Sequence, residues 1–101
     1  MPLEFAQVIV TEIPKKTTTP GTASVNVPTG KVWKIESAGI GGTNGAIYLK
    51  AGTNLVAILF TTISRDYYSS HLPFWLPADF EGELVNDSAE QAIVSITEWT
   101  V

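Results

Sequence analysis

The chain has 101 residues, of which 16% are charged and 45% hydrophobic, with no cysteine and a formal net charge of −4. This length fits one domain spanning residues 1–101, and the hydrophobic share excludes intrinsic disorder because enough apolar surface exists to offset the entropy lost on ordering. The acidic balance excludes the clustered cationic face that nucleic acids and anionic membranes require, and the lack of cysteine excludes disulfides, thiolate zinc sites and a cysteine nucleophile.

Turn-forming clusters rich in glycine, proline, asparagine and threonine separate short segments rich in valine, isoleucine, threonine and aromatic residues. Such regular spacing is typical of an all-β sandwich or barrel, and no segment of useful length has the helical period of about 3.6 residues. Eight strands are predicted, at Glu4–Ile13, Thr22–Val27, Lys31–Ile40, Ala46–Lys50, Leu55–Thr62, His71–Leu76, Gly82–Val85 and Ala92–Thr100. Together they predict an eight-stranded antiparallel β-sandwich.

Two of the predicted strands are apolar on both faces. Residues 55–60 form an unbroken apolar run, and the first half of the last strand is similar. A strand of a two-layer sandwich has one face on the core and one facing water. If the second face is also apolar, we expect another protein surface to bury it. The alternative is that both are central strands of a curled barrel whose outer face is capped by loops.

The favoured cover is a second copy of the chain. A charged share well below the usual quarter or so of a soluble chain fits a surface that is partly hidden in an oligomer. The candidate contact residues are Leu55, Val56, Ile58, Phe60, Trp75 and Trp99.

No catalytic motif stands out. His71 is the only histidine and stands without a recognisable triad or zinc-site pattern around it. The glycine-rich residues 39–45 precede another β-prone segment, whereas a phosphate-binding loop needs a helix N-terminus after it. We therefore expect a protein that is not an enzyme and needs no cofactor.

The densest acidic cluster contains Asp79, Glu81 and Glu83. In an extended strand these carboxylates project on one face, while Phe80 and Leu84 point inward. The favoured interpretation is a solvated strand face. A cation site and a glycosidase carboxylate pair are the alternatives, but the spacing is not that of a calcium loop and short loops leave little material for a sugar cleft.

Several aromatic residues are expected to be exposed. Tyr67 and Tyr68 follow a charged pair, and of the adjacent Phe74 and Trp75 only one can face the core. Exposed aromatic residues build protein interfaces, which is the favoured role, and they also stack on sugars in β-sandwich lectins. The alternative is thus a carbohydrate-binding module whose ligand contacts are Tyr67, Tyr68, His71 and Trp75. Polar groups for sugar hydroxyls would come from Asp66, His71 and Asn86.

The N-terminus has no positive region followed by an apolar run, so no signal peptide is predicted. The longest apolar run, residues 55–60, is too short to span a bilayer. We expect a soluble protein made in the cytoplasm.

Residues 25–36 resemble a hairpin of small jelly-roll proteins from bacteriophage virions. The pattern is hydrophobic–Pro–x–Gly–Lys–x–Trp–x–Ile, carried here by residues 27–35. Residues 72–78 and 93–99 are similar to the closing strands of such domains, so the resemblance covers about residues 22–101. The same hairpin also suits cupins, but their metal-binding histidine set is missing.

The resemblance implies a jelly-roll-like sandwich at the virion surface, as a capsid decoration, head-fibre or tail and receptor-binding module. It implies a homo-oligomer, with a trimer favoured, that contacts other virion proteins and uses no cofactor. A host-surface glycan is a further candidate partner, and neither nucleic acid nor membrane is expected.

Overall fold

A computed structural model describes residues 2–41, 45–61 and 72–101. These residues form eight strands: β1 (Glu4–Ile13), β2 (Gly21–Asn26), β3 (Lys31–Ile40), β4 (Ala46–Ala51), β5 (Asn54–Thr61), β6 (Phe74–Leu76), β7 (Glu81–Asn86) and β8 (Ala92–Thr100). The predicted strand pattern is confirmed, and the bounds of β1, β3 and β8 agree with the prediction to the residue. β6 is shorter than predicted because Pro73, which has no N–H to donate to a ladder, precedes it.

The strands form two antiparallel sheets of four strands each. Sheet A has the order β1-β8-β3-β6, and sheet B has the order β2-β7-β4-β5. β1 pairs with β8, β2 with β7, β3 with β6 and β4 with β5. These nested pairs are those of one long antiparallel hairpin that has rolled up, which is the jelly-roll arrangement. The predicted eight-stranded antiparallel β-sandwich of jelly-roll type is thereby confirmed.

The core lies between the two sheets and is aliphatic. Val94 and Ile96 of β8 are fully buried, and Leu49 and Leu84 face them from sheet B. Full burial of one such side chain contributes about 1.5–3 kcal/mol. The alternation of apolar residues along each strand therefore supplies most of the attraction between the sheets.

The two strands that are apolar on both faces occupy different positions. β8 is central in sheet A, whereas β5 is the last strand of sheet B in the described part of the chain. Ala57 and Leu59 of β5 are buried, while Leu55 and Val56 are exposed. The curled-barrel alternative is therefore wrong, because it required both strands to be central in one closed sheet.

Candidate functional site

The pairing in sheet A collects large apolar side chains on its outer side. Residues opposite one another in an antiparallel pair point to the same side of the sheet. Ile96 of β8 is buried, so the odd-numbered residues of β8 point to the opposite side of the sheet, which is the outer side. Their partners on β1 point outward with them. We call these large apolar side chains the outer A face: Phe5, Val8 and Val10 of β1, Ile93 and Trp99 of β8, and Trp75 of β6.

The outer A face is open to solvent. The exposed fractions are 55% for Phe5, 56% for Val8, 62% for Val10, 47% for Ile93 and 46% for Trp75. With aromatic side chains of about 150–250 Å² and smaller aliphatic ones, this amounts to on the order of 500 Å² of apolar surface. The largest apolar patch on a monomeric protein is about 300–600 Å² and is often functional. The outer A face is therefore within the size range of the largest apolar patches on monomeric proteins.

An aromatic cluster occupies one end of the outer A face. The ring centroids of Phe5 and Trp99 are 5.5 Å apart at an interplanar angle of 77°, and those of Trp75 and Trp99 are 6.2 Å apart at 51°. The Lys34 ammonium lies 5.3 Å from the centroid of the Trp75 ring. The fold thus brings the predicted contact residues Trp75 and Trp99 together. Because the rings are tilted against each other, they do not form one flat stacking surface.

Few charges interrupt this face. The Lys34 ammonium lies 3.6 Å from a Glu36 carboxylate oxygen, and the Thr97 hydroxyl donates to the same carboxylate at 2.9 Å. These two opposite charges largely offset each other. Glu12, which pairs with Ile93, is on the edge strand β1. The apolar side chains therefore lie on β1, on β6 and at the two ends of β8, while Ser95, Thr97 and Lys34 occupy the middle of the face.

The other predicted contact residues lie on a different surface. Leu55 and Val56 of β5 are 57% and 39% exposed, whereas Ile58 and Phe60 are half-buried and Phe60 packs against the core. The predicted set is thus divided between the outer A face and the β5 side of sheet B. Its members on β5 and on sheet A do not form one site.

Sequence reasoning missed the part of the outer A face that comes from β1 and from Ile93. Val8, Ile9 and Val10 form a short run that is apolar on both faces, which is the same signal that drew attention to β5. Phe5 gave no such signal, because only its pairing with Trp99 makes it part of the aromatic cluster.

The predicted sugar contacts are only partly described. Tyr67, Tyr68 and His71, together with Asp66, lie outside the described residues. The prediction that Asn86 can reach a ligand is wrong, because its side chain is fully buried.

Asn86 instead joins three parts of the backbone. Its amide nitrogen donates to the carbonyl oxygens of Ile13, Pro14 and Glu90 at 3.3, 3.1 and 2.8 Å. These carbonyls belong to the end of β1, the connection after it and the loop before β8. As the last residue of β7, Asn86 faces the interior, so it can hold the β1–β2 corner against the β7–β8 loop.

A second buried polar group lies at the inner side of sheet A. The Glu98 carboxylate accepts hydrogen bonds from the Trp33 indole N–H at 2.9 Å and from the Gln7 amide at 3.0 Å. These bonds, the one from Trp33 first, hold the pKa of Glu98 below its usual range. A carboxylate that accepts hydrogen bonds from donors on β1 and β3 ties three strands together.

The acidic cluster is split between a turn and a strand. Glu81 and Glu83 are exposed on β7, and Leu84 is buried, as predicted. Asp79 precedes the strand, in a turn with a φ of 67°, and accepts a hydrogen bond from the Thr29 hydroxyl. The predicted single face thus holds only the two glutamates. The described residues contain no group of three or more metal-ligating side chains.

A shallow depression of about 630 Å³ lies at the far end of the outer A face, beside Ile93. Its described lining is mostly small and uncharged, with Glu90 as the one ionisable side chain. No second acid or base accompanies Glu90 among these lining residues, so they do not form a general acid–base pair.

No protein-family model, curated protein or solved structure matches the chain. The part of the chain that the structure describes contains no helix long and apolar enough to cross a membrane. The fold and the site together define a jelly-roll sandwich with one exposed apolar sheet face.

Proposed function

We propose that the protein is a non-enzymatic structural protein of a virion surface, made in the host cytoplasm, that acts by assembling with copies of itself. The observation that carries this proposal is the exposed outer A face. The virion role is supported by the jelly-roll strand order and by the resemblance of residues 25–36 and the closing strands to phage decoration, head-fibre and tail modules. In this role it contacts other virion proteins and requires no cofactor, nucleic acid or membrane.

The size of the outer A face supports self-assembly. A standard interface buries about 800 Å² on each partner, of which the apolar part is roughly 500 Å². Buried area does not convert directly into affinity, so this agreement in size supports an interface of standard area and not a particular strength of association.

The test is the mass of the purified chain by sedimentation velocity. We expect the wild type to sediment as an oligomer, with a trimer as the assembly that the resemblance implies. Ile93→Asp puts a charge in the outer A face and should reduce the mass to that of a monomer. The matched control Ser24→Asp, at an exposed position of β2 in the other sheet, should leave the mass unchanged. A wild type that stays monomeric at high micromolar concentration would contradict the proposal.

A carbohydrate-binding role is the second proposal, favoured by the exposed ring of Trp75 beside Lys34. The tilt of 51° between Trp75 and Trp99 argues against an extended flat glycan on both rings. Binding of a glycan that Trp75→Ala removes, by a protein that remains monomeric, would favour this role over self-assembly.

A further inference from the structure

We infer that two copies of the chain pack their outer A faces together about a two-fold axis, with the strands of the two copies running in opposite directions. This inference rests on the proposed self-assembly and specifies how the two faces meet. Three observations carry it: the order of apolar and polar residues along the strands, the different heights of the two ends of the face, and the charges of Lys34 and Glu36.

The outward residues of β8 have the same order of types in both directions. Trp99 and Ile93 are apolar and lie at the two ends, whereas Thr97 and Ser95 are polar and lie between them. In a two-fold contact, if one residue touches a second, the second touches the first in return. An axis that runs across the strands between Thr97 and Ser95 places Trp99 of one copy on Ile93 of the other. It also places polar residues on polar residues.

The edge strand β1 fits the same arrangement. Within the sheet Val8 lies opposite Thr97, and Val10 lies opposite Ser95. Reversed strands therefore place Val8 of one copy on Val10 of the other. Both valines are more than half exposed in the single copy, and side chains of two sheets packed face to face interdigitate. The contact would thus bury both valines against an apolar neighbour.

The two ends of the face differ in height in a complementary way. The rings of Phe5, Trp75 and Trp99 form a cluster at one end, whereas the depression lies at the other end, beside Ile93. Gly39 pairs with Ile93 and lines this depression, and a Cβ atom at Gly39 would meet nothing within 4 Å. Reversed strands bring the aromatic end of each copy over the depression of the other. Large side chains then meet small ones, as in well-packed layers.

The charges in the middle of the face favour this direction of the strands. Lys34 pairs with Thr97, and Glu36 lies in the bulge before Ser37, which pairs with Ser95. Reversed strands therefore place Lys34 of one copy near Glu36 of the other, twice in each pair of copies. Within one copy the two groups are 3.6 Å apart. This is longer than the roughly 2.8 Å of a charge-assisted hydrogen bond, so each group can contact a second partner.

Strands that run in the same direction lack this match. With β3 of one copy on β3 of the other, Lys34 meets Lys34 and Glu36 meets Glu36, so like charges repel. With β8 on β3, Lys34 faces Thr97 and has no charged partner. A contact of one surface with itself also stops at two copies. The assembly is then a dimer, whereas the resemblance to virion modules implies a trimer.

Charge reversal provides the first test. In Lys34→Glu the contact opposes acidic groups to acidic groups, and in Glu36→Lys it opposes basic groups to basic groups. Each variant alone should self-associate roughly 10- to 100-fold more weakly than the wild type. An equal mixture opposes the acidic groups of one variant to the basic groups of the other, so its mass should return to that of two copies. Sedimentation equilibrium measures all three samples.

The same two reversals on sheet B are the matched control. Lys50 of β4 pairs with Glu83 of β7, on the side of sheet B that faces away from the core. Lys50→Glu and Glu83→Lys change the net charge by the same amounts but lie away from the proposed contact. Each should associate as strongly as the wild type, alone and in the mixture. Circular dichroism should show unchanged β-structure in all four variants.

A distance measurement tests the direction of the strands with all charges in place. The chain has no cysteine, so Val101→Cys, at an exposed position just after β8, takes a single spin label. Reversed strands put the two labels at opposite ends of the contact, about 33 Å apart along the strands at roughly 3.3 Å per residue. Strands in the same direction leave them only about 10 Å apart, the spacing of stacked sheets. Double electron–electron resonance on the assembled protein distinguishes the two.

The results separate this inference from the proposed function. A wild type that sediments as two copies, recovery in the mixture and the long label distance support the two-fold contact. If the wild type assembles as a trimer, if the mixture associates as weakly as the separate variants, or if the labels lie close together, the two-fold contact is wrong while self-assembly stands. A monomeric wild type would contradict both.

Discussion

The outer side of sheet A differs sharply from the β2–β7 part of sheet B, although both belong to one sandwich. Sheet A presents Phe5, Val8, Val10, Ile93 and Trp75 to solvent. The outer side of sheet B, along β2 and β7, presents Thr22, Ser24, Asn26, Glu81 and Glu83. A sandwich needs only one apolar face on each sheet in order to fold. The second apolar face of sheet A is therefore unnecessary for folding, and this difference supports the proposal that it serves association.

The inner sides differ as well. Each sheet buries one polar side chain that joins distant backbone or side-chain groups. Glu98 in sheet A is a charged acceptor of two donors, whereas Asn86 in sheet B is a neutral donor to three carbonyls. Glu98 should therefore make the free energy of unfolding depend on pH, whereas Asn86 should not.

The largest expected effect comes from making the outer side of sheet A resemble that of sheet B. The triple variant Val8→Thr, Val10→Thr and Ile93→Thr keeps β-branched side chains but removes the exposed aliphatic part of the outer A face, leaving its aromatic residues in place. Self-association should weaken about 1,000-fold, which corresponds to roughly 4 kcal/mol, while the stability of the single subunit changes little. Sedimentation equilibrium measures the change. The matched triple variant Thr22→Ala, Ser24→Ala and Asn26→Ala should leave the strength of self-association unchanged. If both triple variants weakened self-association equally, the two sheets would not differ in this respect.

A smaller effect is expected at the inner side of sheet B. Asn86→Ala removes the donor to three backbone carbonyls, some of which then remain buried without a partner. The free energy of unfolding should fall by about 2–3 kcal/mol. Urea denaturation measures it, with the exposed Asn26→Ala as the control, for which a change within about 0.5 kcal/mol is expected. Similar losses for the two variants would show that Asn86 does not hold the corner.

The smallest effect is expected at Glu98, and it should depend on pH. Because the pKa of Glu98 is lower in the folded than in the unfolded chain, its charge stabilises the fold above the unfolded pKa. This contribution is lost as the pH falls through the folded pKa. Glu98→Gln should therefore lower the free energy of unfolding by about 1–2 kcal/mol at pH 7. At about pH 3, below the usual glutamate pKa, the loss should be smaller.

The same denaturation series decides whether the effect belongs to Glu98. Glu83→Gln, at an exposed position of β7, should change stability by no more than about 0.5 kcal/mol at pH 7. A loss at Glu98→Gln that is equally large at both pH values would mean that the hydrogen bonds, and not the charge, account for it.

The fold was predictable to a large extent because its signals are local. Alternation in β4, with Ile47 and Leu49 buried and Tyr48 and Lys50 more exposed, and turn residues at the strand ends are signals of this kind. The candidate site was predictable only in part. Trp75 and Trp99, two of the predicted contact residues, lie together, but Leu55 belongs to another surface, and Phe5 was missed. Asn86 was expected to offer a polar group to a sugar, whereas the register of β7 turns it inward.

The sequence by itself determined the strands and which residues of each strand share a side, since side chains alternate with a period of two along any strand. The tertiary structure alone decided which strands are neighbours and therefore which outward residues merge into one surface. The hydrogen bond between Gln7 and Glu98 spans 91 positions in the chain. Pairing over such distances depends on the packing of the whole sandwich, so no local pattern could show that β1 would lie beside β8 and complete the outer A face.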